Sequence, residues 1–200
     1  MKKIAIFTRK EVLNNKEILY IPKAVYDKFF KKVLIIVIPF DDNENYINKL
    51  LLLDDINGVI LVGGDDIYKF EYDLVKYLYN NDIPTLGICL GMQTMATAIN
   101  GILGQLNNLE HKSEKKYVHY IDINEDSLLY NIIGKKQILV NSRHKDYVIK
   151  TSLTVGATCN GIIEEVEDKN KKFFIGVQWH PENLDDENTH KLFDYFINKL

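Results

Sequence analysis

A cysteine lies between two glycines at the point where a predicted strand meets a predicted helix. Residues 84–88 read as a buried strand, Cys89 follows, and residues 91–99 have helical character. Gly87 and Gly91 stand two residues on either side of the cysteine. Because glycine has no Cβ, such a turn can close tightly and admit a substrate. The pattern is typical of a nucleophile elbow, whose side chain projects above the sheet edge; the alternative is a buried structural cysteine.

A histidine and a carboxylate near the C-terminal end could activate that thiol. His180 and Glu182 are separated by Pro181, just after the strand-like run 173–178. A nucleophilic thiol needs a base, and the base needs a group that orients it. We therefore predict Cys89 as nucleophile, His180 as general base and Glu182 as the orienting carboxylate. An isolated histidine is usually structural, so the prediction depends on both motifs together.

A third motif could stabilise the oxyanion that forms when sulfur attacks a carbonyl. Gly63 and Gly64 directly follow the predicted strand 58–62. Backbone amides of glycines after a strand can point into a site, and the N-terminus of a helix offers further N–H groups. We predict that the N–H groups of Gly64 and Leu90 form the oxyanion hole and that Gly63 lies beside the substrate. The two aspartates that come next are interpreted as a solvated turn.

The elements that would position these residues alternate along the first half of the chain. Strand-like runs at residues 4–7, 33–38, 58–62 and 84–88 alternate with helical segments at residues 22–31, 47–53, 72–79 and 91–99. That order indicates a parallel sheet covered on both faces. Short runs at residues 118–123, 137–140, 153–157, 161–165 and 173–178 predict an antiparallel extension, and residues 190–200 a closing amphipathic helix.

Bulk properties favour a soluble α/β protein with one core. The 200 residues suit a single domain over residues 1–200. The formal net charge of −3 gives no electrostatic reason to expect nucleic acid. Because we find neither a membrane-length apolar run nor the apolar core of a signal peptide, we expect no membrane association and a cytoplasmic location. The two cysteines do not make a disulfide framework, which fits a reducing compartment.

The histidines give no sign of a metal site in the sequence. His111, His119 and His190 show no ligand spacing with one another or with Cys159. Cys159 itself lies in a predicted turn and is interpreted as structural. We therefore expect no metal and no cofactor.

Several motifs together resemble the class I glutamine amidotransferase superfamily. They are VGGDD at residues 62–66, GICLGMQ at 87–93 and GVQWHPE at 176–182, with GILGQ at 101–105, His111 and VNSRH at 140–144 as further matches. Within the superfamily the resemblance is to the γ-glutamyl-γ-aminobutyrate hydrolase-like branch, peptidase C26. It implies a flavodoxin-like three-layer sandwich, a Cys-His-Glu triad and a γ-glutamyl thioester intermediate.

The resemblance also implies where the substrate lies. Gln93 and the segment Asn141, Ser142 and Arg143 would lie near the α-amino and α-carboxylate groups of the glutamyl half. The branch usually has a second histidine after the NSxH segment, where this chain has lysine and aspartate at residues 145–146. The leaving-group pocket is therefore expected to differ. Arg143 is interpreted either as a cation that binds a carboxylate or phosphate of the substrate or as a surface residue.

Three classes of function stay open at this point. The first is a free-standing hydrolase that cleaves a γ-glutamyl amide and releases L-glutamate with an amine or amidate. The second is a glutaminase subunit that supplies ammonia to a partner synthetase, and the third is an inactive binding protein. The intact Cys89, His180 and Glu182 argue against the third. We favour the first because the resemblance is strongest to stand-alone hydrolases, and we expect its partner to be a small γ-glutamyl substrate, with a nucleotide-linked one among the alternatives.

Overall fold

The computed structural model describes residues 1–39, 56–106 and 111–200. The strands are β1 (Lys3–Phe7), β2 (Arg9–Leu13), β3 (Lys16–Tyr20), β4 (Leu34–Ile38), β5 (Gly58–Leu61), β6 (Thr85–Ile88), β7 (Ile102–Gln105), β8 (His119–Ile123), β9 (Gln137–Val140), β10 (Asp146–Lys150), β11 (Thr154–Cys159), β12 (Ile162–Glu167) and β13 (Phe174–Val177). The helices are α1 (Lys23–Phe29), α2 (Lys69–Asn80), α3 (Leu90–Ala98), α4 (Leu128–Ile133) and α5 (Glu187–Lys199), with a single 3₁₀ turn at Pro181–Asn183.

One nine-stranded sheet organises the described residues, in the order β4-β1-β5-β6-β13-β12-β11-β8-β9. The strands from β4 to β13 in this order pair in parallel. The strands from β13 to β9 pair antiparallel. The predicted parallel sheet with an antiparallel extension is therefore confirmed. The carboxyl ends of β5, β6 and β13 lie side by side, which brings the three sequence motifs to one edge of the sheet.

Both faces of the sheet are covered, because successive side chains of a strand point to opposite faces. In β1, Ile4 and Ile6 pack with Phe29 of α1 and Phe196 of α5. Ala5 and Phe7 belong instead to the layer that contains α2 and α3. The near-continuous apolar runs of the parallel strands are thus explained by burial on two sides. This three-layer arrangement matches the predicted flavodoxin-like fold.

Several helix bounds differ from the predicted ones for local reasons. Helix α2 begins before residue 72 because Glu71 accepts a hydrogen bond from the Tyr68 backbone N–H at 2.8 Å and caps the first turn. Helix α5 begins before residue 190 because Asp186 caps it by accepting from the Thr189 N–H at 2.9 Å. The predicted helix at 47–53 lies outside the described residues. Among the helices that the structure does describe, none is long and apolar enough to cross a membrane.

Five elements were not predicted from the sequence. Strands β2 and β3 form a separate hairpin, and β7 and β10 form another two-stranded sheet. Helix α4 begins at Ser127, whose hydroxyl accepts from the Tyr130 N–H at 2.9 Å. It ends at Gly134 with φ 74°. These elements lie outside the alternating pattern from which the sheet was predicted.

Candidate active site

Cys89 occupies a strained turn between β6 and α3. Its φ of 51° and ψ of −105° lie in a region that residues with a side chain rarely adopt. Its N–H donates to the Val177 carbonyl on β13 at 2.8 Å, and its own carbonyl accepts from the Gln93 N–H at 3.1 Å. The turn is thus held from the sheet on one side and from the helix on the other. This places the sulfur at the carboxyl edge of the parallel strands, where the sequence predicted a nucleophile elbow.

The two glycines around the cysteine are required by close packing. A Cβ on Gly91 would overlap the Leu61 carbonyl of β5, and a Cβ on Gly87 would overlap the Met95 sulfur of α3. Neither position has room for a side chain, so helix α3 can approach the strands only where glycine stands. The glycines therefore set how closely the N-terminus of α3 approaches the sheet edge.

His180 and Glu182 form a pair of the predicted kind. The imidazole Nδ1 lies 2.7 Å from Glu182 Oε1, and both side chains are largely buried. Asn141 holds the backbone of His180 on both sides. Its Nδ2 donates to the His180 carbonyl at 2.7 Å, and its Oδ1 accepts from the His180 N–H at 2.7 Å. The amide predicted to contact substrate is therefore engaged with the histidine main chain.

The His180 side chain also interacts with Cys89. Burial opposes the charged imidazolium, but the interactions with Cys89 and Glu182 and the charges of these two groups outweigh it and raise the pKa of His180 to about 10. The imidazole is then protonated at neutral pH, with the sulfur on one side and the carboxylate on the other. This arrangement can hold a thiolate and keep a proton ready for a leaving group.

Gln178 is a site residue that the sequence motifs did not single out. It is fully buried, and its Nε2 donates to Cys89 Sγ at 3.6 Å. Its Oε1 accepts from Gln93 Nε2 at 3.1 Å, and the same Gln93 nitrogen donates to the Asp146 carbonyl at 2.8 Å. Gln93, predicted to bind substrate, thus orients the amide that faces the sulfur. The sequence did contain one signal for Gln178, because it is a polar residue two positions before His180 at the end of an apolar strand.

The glycine turn after β5 lies directly against the cysteine and histidine. A Cβ on Gly63 would lie 2.9 Å from His180 Cε1 and 3.7 Å from Cys89 Cβ. A Cβ on Gly64 would lie 3.2 Å from Leu90 Cδ2. As the first residue of α3, Leu90 has an N–H with no acceptor inside the helix. The two N–H groups predicted as oxyanion donors therefore belong to neighbouring residues at the edge where the sulfur lies.

The Arg9 side chain contacts the glycine turn after β5 and holds it in place. Its Nη2 donates to the Val62 carbonyl at 2.9 Å, and its Nη1 lies 2.8 Å from Glu71 Oε1. Both charged side chains are buried, so each compensates the desolvation of the other. A Cβ on Gly64 would lie 3.0 Å from the Arg9 Nε. The ion pair thereby fixes the start of the glycine turn to the first turn of α2.

The remaining two predicted residues differ in their surroundings. Ser142 is buried and donates through Oγ to the His111 carbonyl at 2.7 Å. Arg143 is partly exposed, and its backbone bridges to Lys112. The Arg143 Nε is buried and makes no hydrogen bond with any described residue. The serine is therefore occupied within the protein, whereas the guanidinium keeps a donor available.

The protonation of His180 can be measured directly. By NMR, the His180 Cε1 proton of the wild-type protein should titrate with a midpoint near pH 10. Cys89→Ala should lower that midpoint, because one of the two groups that stabilise the imidazolium is removed. His180→Asn identifies the resonance, and the exposed His190 serves as an internal reference. A midpoint near the ordinary value of about 6.5 in both proteins would contradict the charged pair.

The fold and this arrangement of side chains place the chain in the class I glutamine amidotransferase superfamily. Its three-layer sheet carries a cysteine at a strand-to-helix turn, with a histidine and glutamate on the neighbouring strand end. A family model of peptidase C26 matches residues 68–182, more than half of the chain. The chain belongs to the peptidase C26 family, and this membership indicates a hydrolase.

Known relatives agree with that assignment. A subunit of the glutamine-hydrolyzing GMP synthase of Methanococcus aeolicus is 33% identical over 144 residues, which cover 71% of this chain and 73% of that protein. The CTP synthase of Sulfolobus acidocaldarius is 30% identical over 178 residues, covering 71% of this chain and 33% of the enzyme. This chain thus spans about a third of the CTP synthase. The glutaminase domain of Trypanosoma brucei CTPS with bound acivicin superposes on this chain with a TM-score of 0.72 at 17% identity. The superposition covers 100% of this chain and 94% of that domain, so the two share a fold.

Proposed function

We propose that the chain cleaves a γ-glutamyl amide bond through a γ-glutamyl thioester on Cys89 and releases L-glutamate. The observation that carries this proposal is that Cys89, His180 and Glu182 lie together at the carboxyl edge of the sheet, with His180 hydrogen-bonded to Glu182 and interacting with Cys89. Membership in the peptidase C26 family and similarity to a glutamine-hydrolyzing enzyme support the same reaction class. A binding protein would have no need of a charged histidine beside a sulfur on a strained turn.

The proposed reaction has two halves. The thiolate attacks the γ-carbonyl carbon, and the N–H groups of Gly64 and Leu90 stabilise the oxyanion. The imidazolium of His180 then gives its proton to the leaving nitrogen as the C–N bond breaks. In the second half, neutral His180 takes a proton from water, the hydroxide attacks the thioester, and the thiolate leaves. Glu182 keeps the imidazole oriented and stabilises its charged form throughout.

Recognition of an anionic group of the substrate is expected to involve Arg143. Asn141, two residues before Arg143, is hydrogen-bonded to the His180 backbone, so the segment that carries Arg143 runs beside the proposed base. The guanidinium has a buried donor without a partner among the described residues. A carboxylate or phosphate of the substrate would satisfy it.

The leaving group has space beside the glycine turn. An open cavity of about 160 Å³ is lined by residues of the β2–β3 hairpin and the turn: Arg9, Lys10, Glu11, Tyr20, Gly64, Asp65, Asp66 and Tyr68. In compact length and general appearance the chain resembles the γ-glutamyl-CDP-amidate hydrolase of bacterial capsule biosynthesis, and we therefore take γ-glutamyl-CDP-amidate as the candidate substrate. Its cleavage would give glutamate and cytidine diphosphoramidate. The two cations of this lining are Arg9, which is paired with Glu71, and Lys10, whose Nζ lies 3.6 Å from Glu17 Oε1.

A glutaminase subunit is the second candidate. The observation in its favour is the similarity to one chain of a GMP synthase and to part of a CTP synthase. A panel of γ-glutamyl-CDP-amidate, γ-glutamyl-GABA and L-glutamine, assayed for released glutamate, separates the possibilities. We expect turnover of a γ-glutamyl conjugate by the chain alone. Glutamine turnover that appears only when a synthetase partner is added would favour the glutaminase role instead.

Arg143→Ala tests which half of the substrate the guanidinium meets. We expect it to raise KM more for the phosphorylated substrate than for glutamine or γ-glutamyl-GABA, since the lost cation faces the more highly charged ligand. The difference should shrink with added salt if the charge is exposed. Lys150→Ala, an exposed lysine on β10, is the matched control and should change none of these values. An equal rise in KM for all substrates would indicate that Arg143 binds the glutamyl carboxylate. An unchanged KM for all of them would indicate that Arg143 is a surface residue without a role in binding.

A further inference from the structure

Three histidines converge on one buried glutamate outside the reacting groups. Glu164 of β12 is fully buried, and its Oε1 lies 3.4 Å from His111 Nδ1, 3.3 Å from His119 Nε2 and 3.7 Å from His144 Nε2. The four residues come from four separate segments of the chain. Linear spacing gave no sign of a metal site, but folding brings His111 and His119 together with a histidine and a glutamate that were not considered as ligands.

Hydrogen bonding accounts for only part of this cluster, since His111 Nδ1 and His144 Nε2 pair with each other at 3.2 Å. Both oxygens of Glu164 and the Nε2 of His119 are buried without a hydrogen-bond partner among the described residues. Buried polar atoms without partners are rare in proteins, and a bound ion is a recognised reason for them. The cluster therefore has atoms that can still accept a ligand.

The His144 ring is oriented as a metal ligand would be. Its Nδ1 lies 3.0 Å from the Asp146 carbonyl, which can only accept a hydrogen bond. Nδ1 therefore carries the proton, and in the neutral ring Nε2 presents a lone pair to His111 and Glu164. A backbone carbonyl that fixes the tautomer through the distal nitrogen is the usual outer partner of a ligating histidine.

The distances within the cluster match a coordination shell. His111 Nδ1 lies 3.2 Å from His144 Nε2, and these two atoms lie 3.4 and 3.7 Å from Glu164 Oε1. A tetrahedral zinc ion with bonds of about 2.0–2.1 Å places its ligand atoms roughly 3.3 Å apart. The three atoms thus resemble one face of such a tetrahedron, and His119 Nε2 lies 3.3 Å from the same carboxylate oxygen.

We propose that His111, His144 and Glu164, whose ligand atoms lie within 4.8 Å of one another, bind a zinc ion, and that His119, 3.3 Å from Glu164 Oε1 but outside that group, shifts to become the fourth ligand. Imidazole nitrogens with one carboxylate oxygen suit zinc, and four protein ligands leave no open position for a substrate. The centre is therefore structural. The Cys159 sulfur lies within 4.8 Å of ligand atoms of His111 and His119 and is the neighbour that could compete for the fourth position.

The zinc centre would stiffen the segment that positions the triad. His144 lies in that segment, and the carbonyl of Asp146 accepts from both His144 and Gln93. His111 is tied to the same segment through the Ser142 hydroxyl. Asn141, at the start of the segment, holds the backbone of His180. Loss of the ion should therefore lower thermal stability and loosen the placement of His180.

The test measures metal content in a protein whose reacting thiol is absent. Full-length Cys89→Ala is loaded with zinc, desalted and analysed by mass spectrometry for metal. We expect about one zinc per chain, as a single four-ligand centre requires. Glu164→Gln and His144→Ala, each made in this background, should lose it. His190→Ala, an exposed histidine paired with Asp185, is the matched control and should keep it. Loss of zinc in Cys159→Ala with retention in His119→Ala would overturn the assignment of the fourth ligand.

A second measurement keeps the proposal testable if the ligand variants fold poorly. In wild-type protein a strong chelator should lower Tm, and added zinc should restore it, because an ion that binds the folded state alone stabilises that state. Cobalt in place of zinc should give the visible absorption bands of a tetrahedral site. A wild-type chain that retains no zinc and has the same Tm with chelator or zinc would show that the cluster is an ion network without metal. Neither readout depends on the proposed reaction.

Discussion

Cys89→Ala is expected to abolish glutamate release and leave the fold intact. The change removes the atom that would form the thioester, so turnover should fall by about four orders of magnitude or more. Alanine keeps a Cβ and adds no atoms at this buried turn, and it accepts the positive φ no worse than cysteine. Circular dichroism and Tm should therefore stay near the wild-type values.

Two further measurements make this result specific. Mass spectrometry of the wild-type protein with a slow γ-glutamyl substrate should detect a glutamyl adduct on the peptide that contains Cys89. Cys159→Ala, which removes the other thiol of the chain, is the matched control and should retain activity. Substantial activity in Cys89→Ala would rule out a thioester on Cys89. A folded but inactive Cys159→Ala would indicate that the Cys159 sulfur is required for the reaction.

The sheet was predictable because its parallel strands are buried on both faces. Burial on two sides selects the continuous Ile, Val and Leu runs that the sequence shows. The hairpin of β2 and β3 lacks that signal, since its side chains are mostly exposed and many are charged. A turn signal was present: Asn14 and Asn15 have φ of 52° and 60°, as a two-residue hairpin turn requires. The asparagine pair could have predicted the hairpin without any apolar pattern.

The site residues likewise include some that the sequence could predict and some that it could not. Cys89, His180 and Glu182 could be predicted because each stands in a local motif whose spacing has a chemical reason. The role of Gln178 could not, because its contact with the sulfur depends on β6 and β13 being neighbours in the sheet. The histidine cluster around Glu164 is also invisible to linear spacing, since its members meet only after four segments have folded together. The contacts that the sequence did not predict are therefore those between segments that lie far apart in the chain.

The two residues behind the nucleophile should differ strongly in their effects. His180→Asn removes the proposed activator of the thiol and the proposed acid for the leaving nitrogen, so kcat/KM for glutamate release should fall by roughly three to five orders of magnitude. Glu182→Gln should cost less, because the amide oxygen can still accept from Nδ1 while the negative charge that stabilises the imidazolium is lost. His190→Asn, at an exposed histidine, should leave the rate unchanged. The same Glu182→Gln protein should show a lower titration midpoint for His180, because one of the groups that raise its pKa is gone. A larger loss for Glu182→Gln than for His180→Asn would mean that the carboxylate, and not the imidazole, handles the proton.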